Sequence, residues 1–209
     1  MLLSHHTFKA ITFAAIAFFP NAALADGNFY LKAFGGVSSL GADTLSLDGT
    51  ASALDLDTGA IFGGAAGYDY ANSPWSVEVE FAYRTADASP AASVGTGGDF
   101  ASTALMLNGI YTFDTPGAFT PYVGLGLGVL TEVDFDVDAG AAAGEYNDTG
   151  AFAVQAMLGA SYAVSERVSL YGELRYLAAG SQTLDGPGGR TLEADYDSFD
   201  ALFGLSLQF

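Results

Sequence analysis

The sequence predicts an all-β fold, an eight-stranded antiparallel transmembrane up-and-down β-barrel. Three observations point to it. Half of the residues are hydrophobic and only 14% are charged, against about 25% charged in a typical soluble domain, yet beyond the N-terminus no long apolar run exists. The apolar residues instead alternate with small or polar ones in eight segments, the weak but repeated signature of strands with one face toward lipid. The connections between those segments also alternate, short after long, with a long one first and last.

The N-terminus is set apart. Residues 1–25, "MLLSHHTFKAITFAAIAFFPNAALA", start with the weakly basic Lys9, continue with an apolar stretch from Ala10 to Phe19, and end on Ala23-Leu24-Ala25. That is the layout of a cleaved signal peptide, and the apolar stretch is far short of the ~20 residues a spanning helix needs. Residues 26–209 are then expected to form the exported domain. Lys9 is the only charged residue in the leader, so its removal takes the formal net charge from −18 to −19 (24 acidic residues against 6 − 1 = 5 basic ones). The chain has no cysteine, and His5 and His6 are its only histidines.

The eight segments are Asn28–Ser38, Gly59–Tyr70, Trp75–Arg84, Thr103–Asp114, Thr120–Val133, Gly150–Val164, Arg167–Ala178 and Tyr196–Phe209. The clearest is "WSVEVEFAYR". Trp75, Val77, Val79, Phe81 and Tyr83 share one face, and Ser76, Glu78, Glu80, Ala82 and Arg84 the other. In the fifth, Val123, Leu125, Leu127 and Val129 point out while Tyr122, Gly124, Gly126 and Gly128 point in. In the seventh, Val168, Leu170, Leu174 and Tyr176 point out while Tyr171, Glu173 and Arg175 point in. The last places Phe209, Leu207, Leu205, Phe203 and Ala201 on its apolar face, with Asp200, Leu202, Gly204, Ser206 and Gln208 opposite.

Three connections are short turns: Tyr70–Pro74, Asp114–Ala118 and Ala163–Arg167. Four are long and polar: Ser39–Thr58, Thr85–Ser102, Asp134–Thr149 and Ala179–Asp195. Short turns on the periplasmic side and longer loops outside are the outer-membrane arrangement. Outward aromatics fall at two heights. Phe29, Tyr68, Tyr70, Trp75, Tyr111, Phe113, Phe119, Tyr162 and Phe209 lie near the turns, and Phe62, Phe81, Tyr83, Phe152, Tyr176 and Phe199 near the loops, as two interfacial girdles require. Phe209 is expected to close the last strand at the periplasmic interface, with that strand paired to the first so that no sheet edge meets lipid.

The stretches "FYLKAFGG", "GYDY", "VEVEFAYR", "ALMLNGIY", "TPYVGLGLG", "LYGELRY" and the terminal "LSLQF" together resemble the opacity-protein/OmpA-like family of small outer-membrane barrels, the porin-family surface antigens of Gram-negative bacteria. The resemblance covers residues 26–209. It implies location in the cell outer membrane after export through the periplasm, and contact with outer-membrane lipids and lipopolysaccharide. It also implies that Phe209 serves as the assembly signal read by the barrel-assembly machinery.

Enzymatic function is not expected. The lipid A deacylases and palmitoyl-transferring enzymes built on such barrels activate a serine with histidine, and a serine hydroxyl needs such a base at neutral pH. Residues 26–209 contain neither histidine nor cysteine, so no catalytic group, cofactor or metal site is assigned. A narrow porin-like channel for small solutes or ions is the alternative. However, eight strands leave an interior only wide enough for side chains, and the inward charges suggest filling. The third and seventh segments face each other across the ring, carrying Glu78, Glu80 and Arg84 against Glu173 and Arg175; Lys32 faces the glycine-lined fifth. These six residues form the expected lumen ion-pair network, with Arg84 among Glu78, Glu80 and Glu173.

The long connections carry most of the acid: Asp43, Asp48, Asp55, Asp57, Asp87, Asp99, Glu132, Asp134, Asp136, Asp138, Glu145, Asp148, Asp185, Glu193, Asp195 and Asp197, opposed there by Arg190 alone. Such a field repels nucleic acid and attracts divalent cations or basic partners, so a structural or surface-interacting role, as envelope integrity protein, antigen or adhesin toward a host or matrix ligand, is expected. Asp134, Asp136, Asp138 and Glu145 imitate a calcium loop, but an EF-hand needs glycine at its sixth place and Ala139 stands there. Plain alternation, with Val133, Phe135 and Val137 continuing the outward face, accounts for the stretch better.

Overall fold

The computed structural model describes residues 28–41, 45–47, 50–52, 55–56, 58–89, 98–137, 144–148, 150–185 and 191–209. The expected leader, 1–25, lies outside them. The strands are β1 (Asn28–Gly41), β2 (Leu45–Leu47), β3 (Thr50–Ser52), β4 (Asp55–Leu56), β5 (Gly59–Asp69), β6 (Trp75–Ser89), β7 (Gly98–Thr112), β8 (Phe119–Val137), β9 (Gly144–Asp148), β10 (Ala151–Ala163), β11 (Val168–Asp185) and β12 (Thr191–Gln208). Eight of them close a ring in the order β1-β5-β6-β7-β8-β10-β11-β12 and back to β1, every pair antiparallel. The closing pair runs from Tyr30 opposite Gln208 to Gly41 opposite Asp197. Phe209 adds a last bond, its N–H donating to the Phe29 carbonyl at 2.9 Å. No barrel edge is left open, which is what a sheet in lipid requires.

Two turns show why they turn where they do. In the link from β5 to β6, Ser73 N–H donates to the Tyr70 carbonyl at 3.1 Å, and Asn72 takes the left-handed conformation at φ 57°, which asparagine tolerates better than most residues. In the link from β7 to β8, Gly117 sits at φ 105°, where a side chain would be strained.

The strands are longer than the alternation suggested. β6, β8 and β11 continue to Ser89, Val137 and Asp185, β7 and β12 begin at Gly98 and Thr191, and β2, β3, β4 and β9 occupy parts of the long connections. Polar residues do not stop a ladder once both of its faces can meet water, so pairing outruns the apolar belt. Asp134, Asp136 and Glu145 lie on paired strands for the same reason: Asp136 stands opposite Glu145, and Asp134 opposite Asn147, while Asp138 and Ala139 lie outside the described residues.

One face assignment is overturned. Thr103 pairs with Glu132 but Ala104 with Leu130, so Thr131 is an extra residue in β8, and its hydroxyl donates to the Thr103 carbonyl at 3.3 Å. A bulge of this kind reverses the alternation beyond it. Val133 therefore points inward, and it is buried at 2% exposure.

The apolar side chains of the eight long strands form the outside. Phe62, Val79, Leu125, Leu127, Phe152, Leu158, Phe203 and Leu205 are all exposed. At the turn end, aromatic rings touch around the wall: Phe29 with Tyr68 at 4.9 Å, Trp75 with Tyr111 at 5.1 Å, and Tyr111 with Phe113 at 5.1 Å. At the loop end, Phe62 meets Tyr83 at 5.1 Å. The core is the barrel interior. Toward the turns it holds Phe34, Ala82, Ile110, Tyr122, Met157, Tyr171 and Leu202. Toward the loops it holds Leu40, Ala86, Phe100, Ala104, Leu130, Val133, Leu177 and Tyr196.

Candidate functional site

Period two sends every second side chain of each barrel strand inward, and those side chains build three charge clusters. Lys32 on β1 pairs with Glu78 on β6, whose Oε1 also accepts from the Tyr30 hydroxyl at 2.7 Å. The Lys32 ammonium lies 5.1–5.3 Å from the ring centres of Tyr30, Tyr122 and Tyr171, a cage in which ring faces add to the carboxylate's attraction. Lys32 thus faces β8, the glycine-lined fifth barrel strand, through Tyr122, while other side chains fill the space over its glycines. Met157 and Ile110 close on Gly124, Asn108 and Gln155 on Gly126, and Met106 on Gly128.

The second cluster centres on Arg175. It donates from Nη1 and Nη2 to the two oxygens of Glu80 at 2.6 and 2.8 Å, and from Nε and Nη2 to Glu173 Oε1 at 3.1 and 2.6 Å. Its guanidinium packs 5.3 Å from the Phe34 ring centre. Tyr122 donates to the other Glu173 oxygen at 2.8 Å, Asn108 to Glu80 at 3.3 Å, and Gln155 to Asn108 Oδ1 at 2.7 Å. Bidentate pairing of this kind suits arginine and not lysine.

The third cluster differs from the sequence expectation. Arg84 does not sit among Glu78, Glu80 and Glu173. It pairs with Asp200 on β12, from Nε at 3.1 Å and from Nη2 at 2.7 Å, both to Oδ2. Ser38 donates to Asp200 Oδ1 at 2.6 Å. Arg84, Asp200 and Ser38 are wholly buried. Asp200 lies on the inward face that the alternation assigned to it, but the tilt and stagger of a closed barrel decide which inward residues meet, and those are not written in any one strand. Tyr30, Asn108, Tyr122 and Gln155 were missed for the same reason.

Room for the large inward side chains comes from inward glycines directly opposite. Tyr30 pairs with Gly67, Tyr122 with Gly159, and Tyr171 with Gly204. In each case a Cβ on the glycine would run into the tyrosine ring. Among the described residues, the buried side-chain atoms without a partner are Arg84 Nη1, Gln155 Oε1 and Ser198 Oγ. The arrangement is a packed polar interior, three cations against four carboxylates, sealed toward the loops by apolar side chains.

The model of the family described as "Outer membrane protein beta-barrel domain" matches residues 11–209. The chain belongs to that family. It is also 28% identical over 171 residues to the outer membrane protein PagN of Salmonella typhimurium, an alignment covering 71% of this chain and 70% of that one. Among solved structures, Neisserial surface protein A superposes with a TM-score of 0.55 at 22% identity, covering 87% of this chain and 97% of the other. The outer membrane protein AlkL, determined in lipid bilayers, gives 0.55 at 21% identity, covering 91% and 94%. Ail of Yersinia pestis, in complex with the heparin analogue sucrose octasulfate, gives 0.50 at 14% identity, covering 88% and 99%. These likenesses establish the barrel and, with the family, the outer membrane. The exposed apolar wall between the two aromatic girdles is thus a lipid-facing wall.

Proposed function

We propose that this outer-membrane barrel is non-enzymatic and acts through its outside, as a structural and surface-interacting protein whose acidic loops meet its partners. One observation carries the reading: the interior is filled. Arg84, Asn108, Leu130, Ala104, Leu177 and Asp200 are all at 0% exposure, so the lumen offers solutes no ready passage, and work is left to the surface. The charge of the chain, −18 in all, favours divalent cations, cation-bridged lipopolysaccharide phosphates or a basic host or matrix ligand. It disfavours a polysulfated ligand of the kind held in the Ail structure. Recognition of Phe209 by the barrel-assembly machinery belongs to the same proposal.

The test is conductance of the refolded protein in planar lipid bilayers. Silent bilayers, together with divalent-dependent retention on lipopolysaccharide-coated beads, support the surface role. Uniform single-channel steps that vanish when the protein is omitted would favour the narrow channel instead.

A further inference from the structure

At the turn end the barrel opens into a cavity of about 200 Å3 to which every barrel strand contributes. That is space for roughly six or seven waters at about 30 Å3 each, or for one small molecule. Its inner end is the Lys32 ammonium, which keeps 13% of its side chain exposed. At its lip stands Arg167, which is exposed.

The hydrogen-bonding state of the lining defines what fits. The carboxylates are already engaged. Asp69 takes the Ser76 hydroxyl at 2.6 Å and the Gln208 amide at 3.2 Å, and Glu78 takes Tyr30 and Lys32. The donors are not. The side chains of Arg167, Thr112, Ser169 and Ser206 line the cavity and make no hydrogen bond or ion pair to another described residue. Lys32 carries three N–H groups, and Glu78 is its one ion-pair partner among the described residues. Two cationic side chains and three hydroxyls with N–H and O–H groups to spare favour a ligand rich in acceptors.

We propose that this periplasmic cup binds a small oxyanion, a phosphate or carboxylate group, between the Lys32 ammonium and the Arg167 guanidinium, with the hydroxyls of Thr112, Ser169 and Ser206 completing its shell. Such a group can arrive on a soluble periplasmic molecule or on the headgroup of an anionic phospholipid in the adjoining leaflet.

The proposal is tested by nuclear magnetic resonance titration of the folded chain in a phosphate-free nonionic detergent, with inorganic phosphate and then acetate, using chloride at equal ionic strength as control. A parallel arm compares nanodiscs with and without phosphatidylglycerol. Saturable shifts at Lys32, Ser169 and Ser206, absent with chloride, are expected. Arg167→Gln, at an exposed position that leaves the interior network intact, is expected to weaken the binding about fivefold. Shifts with the soluble anions assign a soluble ligand, and shifts confined to phosphatidylglycerol nanodiscs assign a headgroup; both support the site. Shifts that do not saturate, that chloride reproduces, or that Arg167→Gln leaves unchanged would overturn it.

Discussion

Arg84→Ala isolates the energetics of the barrel interior. The guanidinium is fully buried, and it supplies charge-assisted bonds to Asp200 at 3.4, 3.1 and 2.7 Å. Truncation leaves the Asp200 carboxylate buried with the Ser38 hydroxyl as its remaining strong partner. Stranding one member of a buried pair costs about 3–5 kcal/mol, or roughly two to three and a half powers of ten in the unfolding equilibrium. Arg167→Ala is the comparison. That side chain is exposed and without a partner among the described residues, and losing an exposed charge costs about 0–1 kcal/mol. The double variant Arg84→Met with Asp200→Leu removes both charges, and it should recover much of the loss, because the penalty comes from the unpaired carboxylate. Urea unfolding from lipid vesicles is the assay. Trp75, the only tryptophan, lies on the lipid-facing wall and reports the transition by fluorescence. If Arg84→Ala and Arg167→Ala unfold at the same urea concentration, the buried pair does not hold the barrel together and the reasoning fails. A double variant no more stable than Arg84→Ala would show instead that packing around the guanidinium matters more than its charge.

Three further outcomes follow from the geometry. Val79 is half exposed on the lipid side, so Val79→Arg should lower stability in vesicles by roughly 2–4 kcal/mol, while Ala82→Ser, facing inward, should refold normally; equal refolding yields would contradict the assignment of faces. Gly159→Leu drives a side chain into the Tyr122 ring and breaks its bond to Glu173; a fully folded, heat-modifiable band on a gel at wild-type yield would refute that account of the inward glycines. Deleting Phe209 removes the bond to Phe29 and the last interfacial ring, and assembly in cells should fall, read by the same gel shift; unchanged yield would count against the role given to the C-terminal residue.

How much of this was legible in the sequence depends on the distance over which the information is encoded. Which way a side chain points is local. Period two placed Glu78, Glu80 and Arg84 inside, Val77 and Val79 outside, and Asp200 on the inner face of the last strand. Which inward groups meet is not local. Arg84 and Asp200 are 116 residues apart and on strands three places apart around the ring, brought together by a stagger that no single strand records. The bulge at Thr131 also escaped, because neither glycine nor proline marks it. Beyond it Glu132 and Val133 exchange the faces that plain alternation gives them, Glu132 exposed and Val133 buried. The tyrosine and glycine pairs could have been found. Each is a large inward residue opposite a missing side chain in the neighbouring strand, and aligning adjacent strands from their turns is enough to see it.

The central claim is that one face of each strand meets lipid while the other seals the interior. The most direct measurement is solvent accessibility of single cysteines in nanodiscs, feasible because the chain has no thiol of its own. Cysteines replace Val79 and Phe81 on the outer face, Glu80 inside, and Glu166 in the exposed turn before β11. A membrane-impermeant maleimide should modify the cysteine at 166 quickly and those at 79, 80 and 81 slowly. Lipid-borne spin labels should quench a fluorophore at 79 or 81 and spare one at 166. Modification at 79 and 81 as fast as at 166, with no quenching from lipid, would mean that no lipid belt exists and that the account is wrong.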